Sequence, residues 1–226
     1  MLDPSCLWKN VYIIGSVEIS PPYDCCVYLI DVGELVLIDS GAGKSFDRLV
    51  ENIHALGFAP ENISTVIATH RHIDHIGSLS KFQQIYGAQI IAHSLDAEAI
   101  ETGKGTGAEV YGVGYEPCHV DIKLDGPETK LVFGGQEFTA VHIPGHTGGS
   151  IAVYMDVCGK RILFGQDIHG PYEAMWGGET GKAVVSLQRL IDIKADILCE
   201  GHFGIYQPAK EVEDYIKGYL QQLERQ

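Results

Sequence analysis

The sequence predicts an α/β domain in which helices cover β-sheets, and three observations carry that prediction. Short segments rich in Val, Ile and Tyr recur along the chain, each closed off by Gly or Pro. Between them, apolar residues return at helical spacing. Hydrophobic residues make up 45% of the 226 positions and charged residues 20%, a balance that supplies a substantial core and argues against disorder. No repeat or low-complexity linker divides the chain, so residues 1–226 are expected to form one domain.

The first forty residues read as strands: "VYIIGSV", "CCVYLIDV" and "ELVLIDSG". From Ser45 the period changes, and Phe46, Leu49, Val50, Ile53 and Leu56 outline a helix that Gly57 stops. "ISTVIAT" is a buried strand, Leu79, Phe82 and Ile85 outline a second helix, "AQIIAHS" is a strand and "LDAEAIET" a short helix. Residues 103–118 are glycine- and tyrosine-rich without clear periodicity, and they lack the spacing of a phosphate-binding P-loop. With Trp176 they are a candidate lid. Four strands follow, "TKLVF", "EFTAVHI", "SIAVYMD" and "RILFGQD", then a helix near 183–194 and the strand "ADILCEG". In the last helix Val212, Tyr215, Ile216, Tyr219, Leu220 and Leu223 form one apolar stripe.

The formal net charge of -14 repels a phosphate backbone, and no Lys/Arg cluster reverses it, which excludes nucleic acid as a partner class. No apolar run approaches the ~18 residues of a membrane span, and the N-terminus lacks a signal-peptide pattern, so no membrane association and a cytoplasmic location are expected. The six cysteines form no C-x-x-C pair and read as buried reduced thiols.

Ten histidines are present, and three of them stand with an aspartate in "THRHIDHIG": His70, His72, Asp74 and His75. Side chains two apart in an extended segment point the same way, so His70 and His72 are placed to share one cation, and Asp74 and His75 to face a second. Later, His146 follows a strand in "IPGHTGGS", Asp167 ends one in "LFGQDIHG", and His202 ends one in "LCEGHFG". This mixed imidazole and carboxylate set suits zinc, iron or manganese rather than calcium, and the lack of thiolate argues against a purely structural zinc site. His54, His93, His119 and His142 read as ordinary polar residues.

The series His70-x-His72-x-Asp74-His75, His146, Asp167 and His202 resembles the ligand series of the metallo-β-lactamase superfamily, and "VLIDSGAG" resembles its early strand, with Asp39 as a supporting partner. The resemblance implies a four-layer αββα sandwich. It implies that His70, His72 and His146 bind one metal and Asp74, His75 and His202 a second, with Asp167 bridging. A bridging aspartate points away from the antibiotic-hydrolysing zinc enzymes and toward relatives of glyoxalase II, lactonases and phosphodiesterases.

The implied chemistry is hydrolysis of a small-molecule ester, thioester, lactone or phosphoester by a hydroxide shared between two divalent ions, zinc first and iron or manganese as alternatives. Asp74 would orient the nucleophile, and His169 and Tyr172 would face the substrate. The chain ends with one predicted helix, which argues against glutathione recognition of the glyoxalase II kind. An alternative is a mononuclear iron persulfide dioxygenase, using the equivalents of His70, His146 and Asp167. A third reading is a non-catalytic metal-binding protein. The family's frequent dimers extend to this chain as the expectation of a homodimer.

Overall fold

Alternation of side chains along each strand sorts the apolar residues into three buried layers. The computed structural model describes residues 2–225 and shows what each layer packs against. Seven strands lie side by side in chain order: β1 (Ser5–Trp8), β2 (Val11–Gly15), β3 (Val27–Asp31), β4 (Leu35–Ile38), β5 (Ile63–Ile67), β6 (Gln89–His93) and β7 (Ile122–Leu124). Pairing is antiparallel from β1 to β4 and parallel from β4 to β7. A second sheet holds β8 (Glu128–Phe133), β9 (Gln136–His142), β10 (Ile151–Val157), β11 (Lys160–Gln166), β12 (Ile197–Glu200) and β13 (Ile205–Tyr206), with β11 and β12 its one parallel pair among the described residues.

Parallel neighbours require crossovers, and helices supply them. α1 (Phe46–Ala55) joins β4 to β5. α2 (Ile73–Ile76) and α3 (Leu79–Tyr86) join β5 to β6. α4 (Ser94–Thr102) and α5 (Ala108–Tyr111) join β6 to β7, α6 (Thr180–Asp192) joins β11 to β12, and α7 (Ala209–Leu223) ends the chain. Tyr28, Ile30, Val36 and Ile38 point from the first sheet into the second, where they meet Phe138, Val153 and Phe164. Leu29, Leu37, Val66 and Ile90 point the other way, onto α1, α3 and α4. Val141, Ala152, Leu163 and Leu198 face α6 and α7. The result is the four-layer αββα sandwich. Strands β3, β4 and β5 are covered on both faces, which is why they read as nearly unbroken apolar runs.

Three strands have no counterpart among the sequence expectations. β1, β7 and β13 are two to four residues long and lie at sheet edges, too short to show a period of two. Ile85, expected on the core face of its helix, is 59% exposed. Leu79 and Phe82 are buried with Tyr86 packed beside them, and Ile85 lies past the edge of that stripe. All six cysteines are free; four are buried, but Cys6 and Cys158 are exposed. Burial pushes the Cys26 thiol up to about 12, which keeps it inert at neutral pH. Among the described residues no helix is long and apolar enough to cross a membrane.

At one edge the two sheets are tied together through polar groups. The Ile151 N–H donates to the Thr69 carbonyl at 2.8 Å and the Cys26 N–H to the Gly201 carbonyl at 2.6 Å. The Tyr28 hydroxyl donates to the Glu200 carbonyl at 2.6 Å.

Phe138 is fully buried between the sheets, away from that edge. Phe138→Ala should cost about 3–5 kcal/mol of unfolding free energy, measured by denaturant titration, while the metal content of the folded protein stays the same.

Candidate metal centre

The tied edge is where the polar strand ends converge. β5 runs out at Ile67, and the extended residues after it carry His70 and His72 into the one-turn helix α2, which presents Asp74 and His75. His146 lies in the turn between β9 and β10, Asp167 directly after β11 and His202 just beyond β12. Two glycines allow the backbone to approach the acids of this edge closely. A Cβ on Gly149 would come within 2.7 Å of the Asp96 carboxyl carbon, and one on Gly201 within 2.4 Å of Asp167 Oδ1.

Three imidazole nitrogens meet in the first cluster. His72 Nδ1 stands 3.1 Å from His70 Nε2 and 2.8 Å from His146 Nε2. The opposite ring nitrogens have partners that fix the tautomers. His72 Nε2–H donates to the Trp176 carbonyl at 3.1 Å, and His146 Nδ1–H to the Pro171 carbonyl at 2.7 Å. The Thr69 hydroxyl donates to Asp39 Oδ2 at 2.8 Å, which leaves its lone pair to accept from His70 Nδ1–H at 3.2 Å. Three lone pairs therefore face one point, an arrangement that is repulsive alone and favourable around a cation.

The second cluster joins Asp74, His75 and His202. His202 Nε2 lies 3.2 Å and His75 Nε2 3.7 Å from Asp74 Oδ2. His75 Nδ1–H donates to Asp39 Oδ2 at 2.8 Å, so its Nε2 lone pair also faces inward. Asp167 spans the clusters. Its Oδ2 is 3.3 Å from His146 Nε2 and its Oδ1 is 3.2 Å from His75 Nε2 and 3.4 Å from His202 Nε2. His75 Nε2 and Asp167 Oδ1 are buried without a hydrogen-bond partner. Two unmet polar atoms aimed at each other's neighbourhood, in a set of nitrogen and oxygen donors, fit a divalent cation.

The electrostatics of the two clusters differ. Burial, and then the neighbouring His75, His146 and His72, hold His70 well below the usual imidazole range. Burial lowers His72 as well and takes His146 down to about 4. Burial also works against a charge on His75, but Cys25, Asp167, Asp39 and Asp74 together outweigh it and raise that imidazole well above its usual range. For His202 burial is again outweighed, by Asp167 and Asp74, which push it up to about 10. Burial would raise the carboxyls of Asp74 and Asp167, yet His75 and His202 bring both below the usual range.

A cavity of about 420 Å³ opens onto both clusters, lined by His72, Asp74, His146, Asp167 and His202 at its floor. His169 is on its wall, with Nδ1–H donating to Glu200 Oε1 at 2.9 Å. Tyr172 does not line this cavity; its hydroxyl turns back to donate to the Ile168 carbonyl. The tyrosine that does reach the site is Tyr111, on α5 within the glycine-rich segment, whose hydroxyl donates to Asp74 Oδ2 at 3.3 Å. Trp176 also lines the cavity and packs edge-on against the His72 ring at 5.8 Å.

Among the buried acids that sequence reasoning overlooked, Glu200 and Asp96 hold ligand-bearing segments in place. Glu200 is fully buried, and its Oε2 accepts the N–H groups of His202 and Phe203 at 2.6 and 2.8 Å. Asp96 accepts from Thr147 Oγ1, the Gly149 N–H and Arg71, which ties the His146 turn to the His70–His75 segment. An acid inside the apolar run "DILCEG" was the available signal for Glu200; Asp96, in the short helix α4, carried none. The histidines read as ordinary are elsewhere: His142 Nε2–H donates to the Gly148 carbonyl, His93 stacks on His142, His119 pairs with Glu101 and His54 is exposed.

The sequence profile of the metallo-beta-lactamase superfamily matches residues 21–202. A metallo-beta-lactamase fold-containing protein of Sulfurisphaera tokodaii is 27% identical, over 96% of this chain and 87% of its own length. A hydroxyacylglutathione hydrolase of Bartonella quintana is 33% identical, but over only 46% of this chain and 34% of the relative. Among solved structures, a metallo-beta-lactamase variant from Cronobacter sakazakii superposes with a TM-score of 0.82 at 21% identity, over 100% of this chain and 96% of the other. At that identity the likeness speaks for the fold.

Two outcomes are expected from this geometry. Asp39→Asn removes an acceptor shared by Thr69 and His75, and should weaken metal retention by roughly 10- to 100-fold, read by competition with a chelator. In the metal-free protein His202 holds a proton up to about pH 10 while His146 is neutral above about pH 4. Filling the second cluster should therefore release protons at pH 7 to 8 and tighten as pH rises, whereas filling the first should release few. Calorimetry in buffers of different ionisation enthalpy distinguishes the two.

Proposed function

Since this chain belongs to the metallo-beta-lactamase superfamily, we propose that it is a dinuclear metal-dependent hydrolase acting on a small ester, thioester, lactone or phosphoester. The observation that carries this reading is the division of seven donors into two clusters that share Asp167, one carboxyl oxygen toward each. His70, His72 and His146 would hold one cation and Asp74, His75 and His202 the other. Bound divalent ions, zinc first among them, would supply a water of lowered pKa and polarise the substrate's oxygen.

The chain's own groups do the positioning. Asp74 lines the cavity as a carboxylate held below its usual range, and is placed to accept a hydrogen bond from the attacking water and orient it. Tyr111 donates to the same carboxyl oxygen that faces His202, which limits its rotation. His169, its Nδ1–H taken by Glu200, presents a ring with a fixed tautomer to the substrate. The hydroxyacylglutathione hydrolase name belongs to relatives of which this chain spans about a third, so thioester hydrolysis enters as one substrate class among several.

Elemental analysis of protein purified without added metal is the direct test. About two zinc or manganese ions per chain, with turnover of one of the four substrate classes, is the expected result. About one iron, with oxygen uptake on adding a persulfide, would move the assignment to a dioxygenase. Asp74→Asn should lose the second ion selectively and reduce kcat by at least about 100-fold; a variant that keeps full activity would remove Asp74 from the mechanism.

A further inference from the structure

We propose that the cavity selects a substrate with an uncharged apolar or aromatic tail, and discriminates against one whose tail carries a negative charge. This inference rests on the metallohydrolase reading for the reacting end and on the walls of the cavity for the tail.

Above the metal-facing floor, the wall is built from Val17, Tyr111, Pro171, Trp176 and Phe203, with His169 as its polar member. Two of these carry apolar surface that nothing in the fold covers: Val17 is 55% and Phe203 59% exposed. The three aromatic rings are held in place by neighbours. Trp176 packs on His72 and against Gly107, Phe203 lies edge-on to His169 at 4.7 Å, and Tyr111 packs against Tyr23 at 5.7 Å. Rigid aromatic walls gain contact with an apolar guest at little entropic cost.

Charge decides the rest. Among the described residues that line the cavity none is Lys or Arg. The nearby cation, Arg71, is already engaged: its Nη1 donates to Asp96 at 3.2 Å and its Nε to the Gly105 carbonyl at 3.1 Å, and it is absent from the cavity wall. An anionic tail would be desolvated against apolar walls with no partner, beside a chain whose formal charge is -14. A volume of about 420 Å³ suits a small molecule.

The test separates the tail from the chemistry. Alkyl hydroxamates chelate a metal centre without being turned over, so binding of a medium-length alkyl hydroxamate and of its counterpart ending in a carboxylate is measured by calorimetry on the zinc-loaded protein. The neutral probe should bind at least about tenfold tighter, and Val17→Lys, a change at an exposed position outside the metal clusters, should narrow that ratio by improving the anionic probe. Equal binding, or preference for the carboxylate probe, overturns the inference and leaves the hydrolase reading standing if esters are turned over. Failure of both probes to bind the zinc-loaded protein overturns both readings.

Discussion

One buried carboxyl group, that of Asp39, holds the site in register. It sits just past the end of β4 in a left-handed backbone conformation, and it accepts three hydrogen bonds: the Thr69 N–H on Oδ1, and the Thr69 hydroxyl and His75 Nδ1–H on Oδ2. Those bonds join the ends of two neighbouring parallel strands to the helix that follows. They also decide where protons reside. Because Thr69 gives its hydroxyl proton to Asp39, it takes one from His70, and the lone pairs of His70 and His75 are both turned inward. A single acid thus sets one ligand in each cluster.

The fold makes this convergence possible. In a parallel pair both strands finish at the same edge, so β4, β5 and β6 on one sheet and β11 and β12 on the other deliver their following residues to neighbouring places. The hydrogen bonds from Ile151, Cys26 and Tyr28 then keep the two sheets from sliding at that edge. Donors from four separate stretches of chain meet within a few ångströms, supported by buried carboxyls on both sides: Asp39 and Asp96 from the first half, Glu200 from the second. Burying so many ionisable groups would be unfavourable if they were unpaired. Here Asp39, Asp96 and Glu200 each accept from N–H or O–H donors, and the two unmet atoms within the clusters, His75 Nε2 and Asp167 Oδ1, are ones a divalent cation would engage.

The floor and the wall of the cavity follow opposite rules. The floor is polar, tightly hydrogen-bonded and nearly inaccessible, as precise metal geometry demands. The wall is aromatic and half open, and its rings are held by packing on their neighbours: Trp176 on His72, Tyr111 on Tyr23 and Phe203 on His169. The metal-facing chemistry is therefore confined to the floor, and the proposed selectivity to wall residues such as Val17 and Phe203 that lie outside the two clusters.

Much of this was legible in the sequence, for a physical reason. Local periodicity reports local structure, so the long strands and helices could be read from where their apolar residues fall, and the crowding of His70, His72, Asp74 and His75 in six residues reported a cation-binding floor. Ile85 was misread because Leu79, Phe82 and Tyr86 define the buried stripe of its two-turn helix and Ile85 lies just past it. The short edge strands were missed because two to four residues carry too little pattern to register. Contacts between distant residues were not legible at all. Tyr111 reaches Asp74 across 37 positions, His72 meets His146 across 74, and Tyr172, close to Asp167 in sequence, turns its hydroxyl the other way. The sequence by itself determined which side chains were available and which elements would carry them. Only the tertiary structure decided which lone pairs face one another and which aromatic rings wall the cavity, because those depend on loops whose course is set by packing against the rest of the fold and not by their own residues.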